Sequence, residues 1–374
     1  MTEKHVWVNG ELITSDRMND LEDRVREVSA DLEDRNISFK GDISFEKQIT
    51  KNYEDNISNK IEHKAVSLTL TNYSTINDDT ITGMARMGAE VSLVVMVPTQ
   101  SVTDSNPTPM DDDVILDFLS RLKAKGVTTF MLKPHLGVVD SFDRGHYVPD
   151  DYTSFFNIWK NYMLRVAKIC SDNDIPYLSI GCEQFDNTKS THLQQWLDLI
   201  HTVKTAYPDV LLTYAFSATE FNSDDNLGIC DYLDVIGFNV YPSLTQKPYS
   251  ASMNKFDVIG GWWSNPTDGY SFGDRLDKIQ DKYKKPTMIT ESGTRPYLLA
   301  INQPHISGDF DENFDAQALY IEAMYYIISR MPYNVGVAWW HGGYSTTHNN
   351  PFSFWKPDVV TKSEQTMIKM IGEY

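Results

Sequence analysis

From Ala65 onward the chain alternates between two hydrophobic patterns. Short runs that are apolar at nearly every position are separated by longer stretches in which apolar residues recur every three or four positions. The first pattern marks strands buried on both faces, and the second marks amphipathic helices. It predicts strands over 65–71, 90–97, 128–133, 177–182, 210–216, 232–240, 286–290 and 335–340. Helices are predicted over 78–88, 111–125, 152–173, 191–206, 272–284, 315–329 and 362–373. The connection after Phe216 is irregular and polar. Pro98 and Pro134 are read as closing the second and third strands, since proline cannot donate to a ladder. Eight β/α units in about 310 residues predict a (β/α)₈ barrel. A doubly wound sheet would need a glycine-rich first turn, and Thr71-Asn72-Tyr73-Ser74 is nothing like one.

Residues 1–64 are of a different kind. Val6–Thr14 reads as a hairpin around Asn9-Gly10, after which Ser15 or Asp16 is placed to cap a helix. On that helix Met18, Leu21, Val25, Val28 and Leu32 form an a/d seam about two heptads long. A seam so short does not hold a coiled coil alone. It predicts association into a trimer or dimer, with a helix lying on its own domain as the alternative. Residues 36–64 are polar and read as a linker or a further stem. The expected organisation is an adaptor over 1–64 and one catalytic barrel over 65–374.

Bulk properties narrow the function. A net charge of −19 argues against nucleic acid and anionic membranes as partners, and suits a neutral or cationic polymer. Aromatic residues make up 12% of the chain, enough to stack on sugar rings but also to fill cores. Cys170, Cys182 and Cys230 have no metal-ligand spacing and read as buried thiols. No apolar run is long enough to cross a membrane. Met1–His5 lacks the look of a signal peptide, so synthesis in a cytosol is expected.

Candidate chemistry gathers at the strand ends. Ile175–Glu183 and Pro286–Gly293 are apolar strands that each finish on a carboxylate, Glu183 and Glu291. Burying an unpaired charge is costly, and the carboxyl ends of barrel strands form the mouth where such enzymes work. Strands four and seven can face one another across that mouth, so the pair predicts a retaining glycosidase. Whichever of the two serves as the acid is expected to have its pKa raised by the neighbouring carboxylate and by burial. Tyr241 is placed to hydrogen-bond the nucleophile and Trp340 to floor the sugar ring. Lys133 is expected to pair with a mouth carboxylate and to stand in the substrate-binding ring. Tyr73, His135, Asn239 and His341 complete the expected substrate-binding ring, and Trp263 beside Trp262 is placed to extend it. His135, His341 and His348 lack ligand spacing, so neither metal nor cofactor is expected.

Leu132-Lys133-Pro134-His135, Ile180-Gly181-Cys182-Glu183, Gly237–Pro242, Ile289–Gly293 and Ala338-Trp339-Trp340 resemble the large clan of retaining (β/α)₈ glycoside hydrolases, and most of all its β-mannanase-type family 113. The likeness spans roughly residues 65–345 and implies Glu183 as acid/base and Glu291 as nucleophile. Much of the clan has Asn before the acid/base, to hold the sugar 2-hydroxyl, where this chain has Cys182. Trp7–Thr14 followed by Met18-Asn19-Asp20-Leu21-Glu22 is similar to the opening of baseplate and tail proteins of phages infecting Gram-positive bacteria. Together the two likenesses imply an enzyme carried on the virion and made in the host cytoplasm. It would meet other tail proteins through residues 1–64 and cut a host surface polysaccharide. Two alternatives are a receptor-binding protein that grips glycan without cutting it, and a phosphodiesterase acting on teichoic acid. The second would want an early His-Arg pair and an acidic cluster, which Ser67–Tyr73 lacks.

Overall fold

The computed structural model describes residues 61–71, 76–139, 144–264, 271–306, 308, 310–331, 333–343 and 352–374. Residues 1–60 of the expected adaptor, with its seam, and Tyr73 lie outside the described residues, as does His348.

Eight parallel strands close into a barrel in sequence order. They are β1 His63–Leu70, β2 Glu90–Thr99, β3 Thr129–Val138, β4 Tyr177–Cys182, β5 Leu211–Phe216, β6 Ile236–Asn239, β7 Thr287–Ser292 and β8 Asn334–Trp339. Seven helices of ten residues or more pack outside it: α1 Asp78–Met87, α2 Asp112–Ala124, α3 Tyr152–Asp172, α4 Leu193–Ala206, α5 Phe272–Tyr283, α6 Phe314–Ile328 and α7 Lys362–Glu373. Between β5 and β6 the helix is reduced to single turns, Ala218–Phe221, Asp224–Asn226 and Gly228–Tyr232. The polar, aperiodic sequence after Phe216 is the reason, since it offers no apolar stripe for a long helix to bury.

Helix starts follow capping chemistry. Asn77, Asp151 and Ser271 each accept a backbone N–H from the first turn of α1, α3 and α5, satisfying a donor that has no intrahelical partner. Toward the N-terminal ends of the strands, Ala65, Phe130, Met131, Tyr177, Val235, Met288 and Ala338 form one buried cluster. His63 stacks on Phe130 with ring centroids 5.0 Å apart. That end of the barrel is sealed by apolar packing, leaving the opposite end for chemistry.

Four strand boundaries differ from expectation, the ends of β2 and β3 and the starts of β1 and β6. β2 and β3 run through Pro98 and Pro134, pairing from Val95–Pro134 to Thr99–Val138. β1 stops pairing with β2 at Val95, and β4 stops pairing with β3 at Leu132. Each proline therefore lies where its strand has one neighbour, and a missing N–H costs no ladder bond on the open side. β1 begins at His63, within the expected linker. β6 begins only at Ile236, because Gly228–Tyr232 coils into a 3₁₀ turn.

Candidate active site

Glu291 belongs to β7 itself, and its side chain is nearly buried. Lys133, from the mouth half of β3, places its Nζ 2.6 Å from Glu291 Oε1. The same ammonium donates to Asn239 Oδ1 at 3.2 Å and to the Thr290 carbonyl at 3.1 Å, using all three of its protons. The Tyr241 hydroxyl donates to the other carboxylate oxygen, Glu291 Oε2, at 2.9 Å. Burial and the charges of Glu291 and Glu183 push the Tyr241 pKa well above its ordinary value, so it stays a donor. His135 places Nε2 3.5 Å from Glu291 Oε1, and its ring lies parallel to Trp340 with centroids 6.3 Å apart. Burial, helped by Arg144 and Lys133, lowers its pKa well below the usual histidine value and keeps the imidazole neutral.

Glycine is required after Glu291. A Cβ on Gly293 would fall on the carbonyl oxygen of Trp340, where the backbones of β7 and β8 meet through Trp340 N donating to Ser292 O at 2.8 Å.

Glu183 follows β4 at φ 52°, a left-handed conformation that costs a non-glycine residue of order 1–3 kcal/mol. Its surroundings hold it there. Glu183 N donates to Ala215 O at 2.9 Å, and Gln184 N donates to the Tyr214 hydroxyl at 2.8 Å. Tyr214 fits beneath because Gly181 has no Cβ, which would come within 2.6 Å of its ring. The Tyr214 hydroxyl in turn donates to buried Glu220 at 3.0 Å.

One amide links the Glu183 carboxylate to the lysine that holds Glu291. Asn239 Nδ2 donates to Glu183 Oε1 at 3.0 Å and to Cys182 Sγ at 3.4 Å. Its Oδ1 accepts from Lys133 and from Thr290 Oγ1, the latter at 2.9 Å. The other Glu183 oxygen, Oε2, accepts from Arg144 Nε at 3.1 Å. Beside this pair opens a cavity of about 530 Å³, lined by Glu183, Asn239 and Tyr241 together with Ser217, Phe272 and His305.

Several expected residues have other roles. Lys133 and Asn239 spend their hydrogen-bonding capacity inside the protein, so neither is left to hold a sugar hydroxyl. His341 is buried, with Nδ1 accepting from Gly343 N and Nε2 2.8 Å from Thr69 Oγ1. Burial lowers its pKa to about 4. Trp263 lies against Gly273 at the start of α5 and is not among the cavity-lining residues. Trp262 beside it is buried on Phe272.

The expected rise in the Glu183 pKa is also corrected. Burial pushes it up, but Arg144, the Asn239 amide and Lys133 outweigh burial, and it ionises below its usual range. Arg144 is the largest of the groups that lower it.

Arg144, Phe272 and His305 escaped the sequence reading. Arg144 lies in a polar loop past a strand thought to end at Lys133; that it is the sole arginine between β3 and α3 was the available signal. His135, Cys182 and Glu291 each offer a ligand atom within 4.8 Å of the others. They make a poor metal site. Both Glu291 oxygens are engaged by Lys133 and Tyr241, and burial raises the Cys182 pKa well above its ordinary value, keeping the thiol protonated.

The model of Glycoside Hydrolase Family 113 matches residues 66–350 of this chain. The fold is similar to that of a GH113 β-1,4-mannanase, with a TM-score of 0.64 and 18% identity over 84% of this chain and 100% of that one. It is similar in the same degree to the GH113 β-mannanase of Alicyclobacillus acidocaldarius, with a TM-score of 0.64 and 17% identity over 83% of this chain and 97% of that one. A β-D-glucuronidase of Dictyoglomus thermophilum shares the barrel more distantly, with a TM-score of 0.53 and 12% identity over 84% of this chain and 51% of that one. No curated protein matches the chain in sequence.

Proposed function

Because the chain belongs to glycoside hydrolase family 113, we propose that it cleaves a β-linked polysaccharide by a two-step, two-carboxylate displacement in which Glu291 attacks and Glu183 shuttles the proton. The observation that carries these roles is the bridge at Asn239, which ties the Glu183 carboxylate to the lysine that holds Glu291. This chain of contacts sets both carboxylates at one mouth, as retention needs, where the two carboxyl groups lie about 5–5.5 Å apart and leave no room for a water between them.

In the first step a Glu291 oxygen bonds to the anomeric carbon. The glycosidic C–O bond breaks, and the departing oxygen takes the proton of Glu183. In the second step water gives its proton to the Glu183 carboxylate and attacks the same carbon, expelling Glu291. Lys133 and Tyr241 each hold one oxygen of Glu291 and orient it before attack. Trp340, parallel to His135 beside the nucleophile, is the ring we assign to floor the sugar.

The solved relatives named β-1,4-mannanases make β-1,4-mannan the first polymer to try. Cys182, however, stands where an amide would contact the 2-hydroxyl, so discrimination at that carbon rests on other groups. We place the natural glycan on a bacterial surface, with residues 1–64 as the attachment to a phage tail. Support for that placement is the likeness of Trp7–Glu22 to baseplate openings and the a/d seam that follows.

Incubation of the full chain with β-1,4-mannan and with purified Gram-positive wall polysaccharides should release new reducing ends, and Glu291→Gln should release none. Binding without cleavage by the unaltered chain would instead identify a glycan-gripping tail protein. Light scattering should give a dimer or trimer of the 42.8 kDa chain; a monomer would remove the oligomeric adaptor.

A further inference from the structure

We propose that Arg144 is a positioning residue for the acid/base, fixing both the orientation and the charge state of Glu183. This rests on the assignment of Glu183 as proton shuttle. Arg144 opens the short 3₁₀ turn Arg144–His146 in the loop between β3 and α3. Its Nε reaches Glu183 Oε2 at 3.1 Å, while Nη1 lies 3.5 Å from the Leu136 carbonyl at the extended tip of β3. The long β2–β3 ladder past the two prolines thus anchors the guanidinium beside the carboxylate.

Glu183 has a hydrogen-bond partner on each oxygen. Asn239 holds Oε1 and Arg144 holds Oε2, so the carboxylate plane is set from both sides. Charged and titratable groups face it from every neighbouring element: Arg144 from the β3–α3 loop, Lys133 from β3, Cys182 on β4, Tyr241 after β6 and Glu291 on β7. Cys182 and Tyr241 stay neutral, their protons held by burial. Lys133 is paired with Glu291 at 2.6 Å and acts on Glu183 less than Arg144 does. Among the described residues Arg144 is the largest charge that favours the Glu183 carboxylate.

The two steps of the reaction ask opposite things of Glu183. It must carry a proton when the leaving group departs and be a carboxylate when water arrives. Arg144 favours the carboxylate, so it assists the second step and opposes the first. A leaving-group oxygen entering beside Oε2 would have to compete with the guanidinium for that oxygen. In this arrangement the free enzyme waits in its base form, and the proton is taken up as the sugar docks.

The test reads Glu183 in the protein without substrate. With ¹³C-carboxyl-labelled glutamate, the Glu183 resonance is identified as the one lost in Glu183→Gln, and its titration is followed by NMR. Arg144→Gln should raise the titration midpoint by about one pH unit or more, the usual effect of losing an opposite charge at this range. Arg144→Met serves as a second charge-free variant if the first fails to fold, and Arg144→Lys should stay near the unaltered protein. An unmoved midpoint in a folded charge-free variant overturns the proposal. Rescue of Glu183→Ala turnover by azide, which needs no acid/base, tests the shuttle assignment separately. Its failure would strike that assignment without altering the NMR result.

Discussion

Two sides of one mouth hold their carboxylates by different means. On the β7 side, Glu291 lies within a strand and pairs with a lysine from another strand, their side chains 5% and 0% exposed. On the β4 side, Glu183 stands just past its strand in a left-handed conformation. It pairs with an arginine from a loop, at 25% and 18% exposure. The first arrangement is rigid and desolvated, so its partners govern stability and nucleophile charge. The second is partly solvated and loop-borne, so its partner governs protonation. A nucleophile needs a fixed charge, whereas a proton shuttle needs one that changes.

The largest effect should come from Glu291→Gln, which removes the attacking oxygen. We expect a loss of turnover on the order of 10⁴-fold or more, with the melting temperature retained. Next is Lys133→Met. It leaves a buried carboxylate without its cation, which costs about 3–5 kcal/mol. Denaturant unfolding should show the loss. Removing the charge of Arg144 should by contrast cost about 1 kcal/mol or less and move the basic limb upward. If the two variants lost stability equally, the contrast between the two sides would fail.

The smallest effect concerns the support behind Glu183. Glu220 is buried, and burial raises its pKa to about 7 against the bonds from Ser217, Thr188 and Tyr214. A carboxyl with a raised folded pKa contributes stability that is fully present below its unfolded pKa of 4.5 and lost as pH rises through about 7. The melting temperature should fall across that window, and Glu220→Gln should flatten the fall. A pH dependence identical in the variant would rule Glu220 out as its source.

The same division explains what could be read from the residues alone. All eight strands and the barrel closure were legible, because apolar runs and helical periods repeat with little interruption from Ala65 onward. Glu291 stood out as a charge ending an apolar run, and its pairing with Lys133 followed from two strand ends meeting at one mouth. Arg144 was not legible, since nothing local to a polar loop says which strand end it bends toward. The roles of Asn239 and His341 were misjudged for a related reason. Residue type announces hydrogen-bonding capacity, but only the fold shows that Lys133, Thr290, Cys182 and Glu183 consume it for Asn239. The two prolines misled because a strand's open side is a property of its neighbours.

The most direct measurement is the anomeric configuration of the first product, followed by ¹H NMR as a β-linked polysaccharide is cut. Two carboxylates linked through Asn239 and Lys133 predict that the β-anomer appears first and only later mutarotates. Initial release of the α-anomer would mean that a water works between Glu183 and Glu291, and would contradict the account.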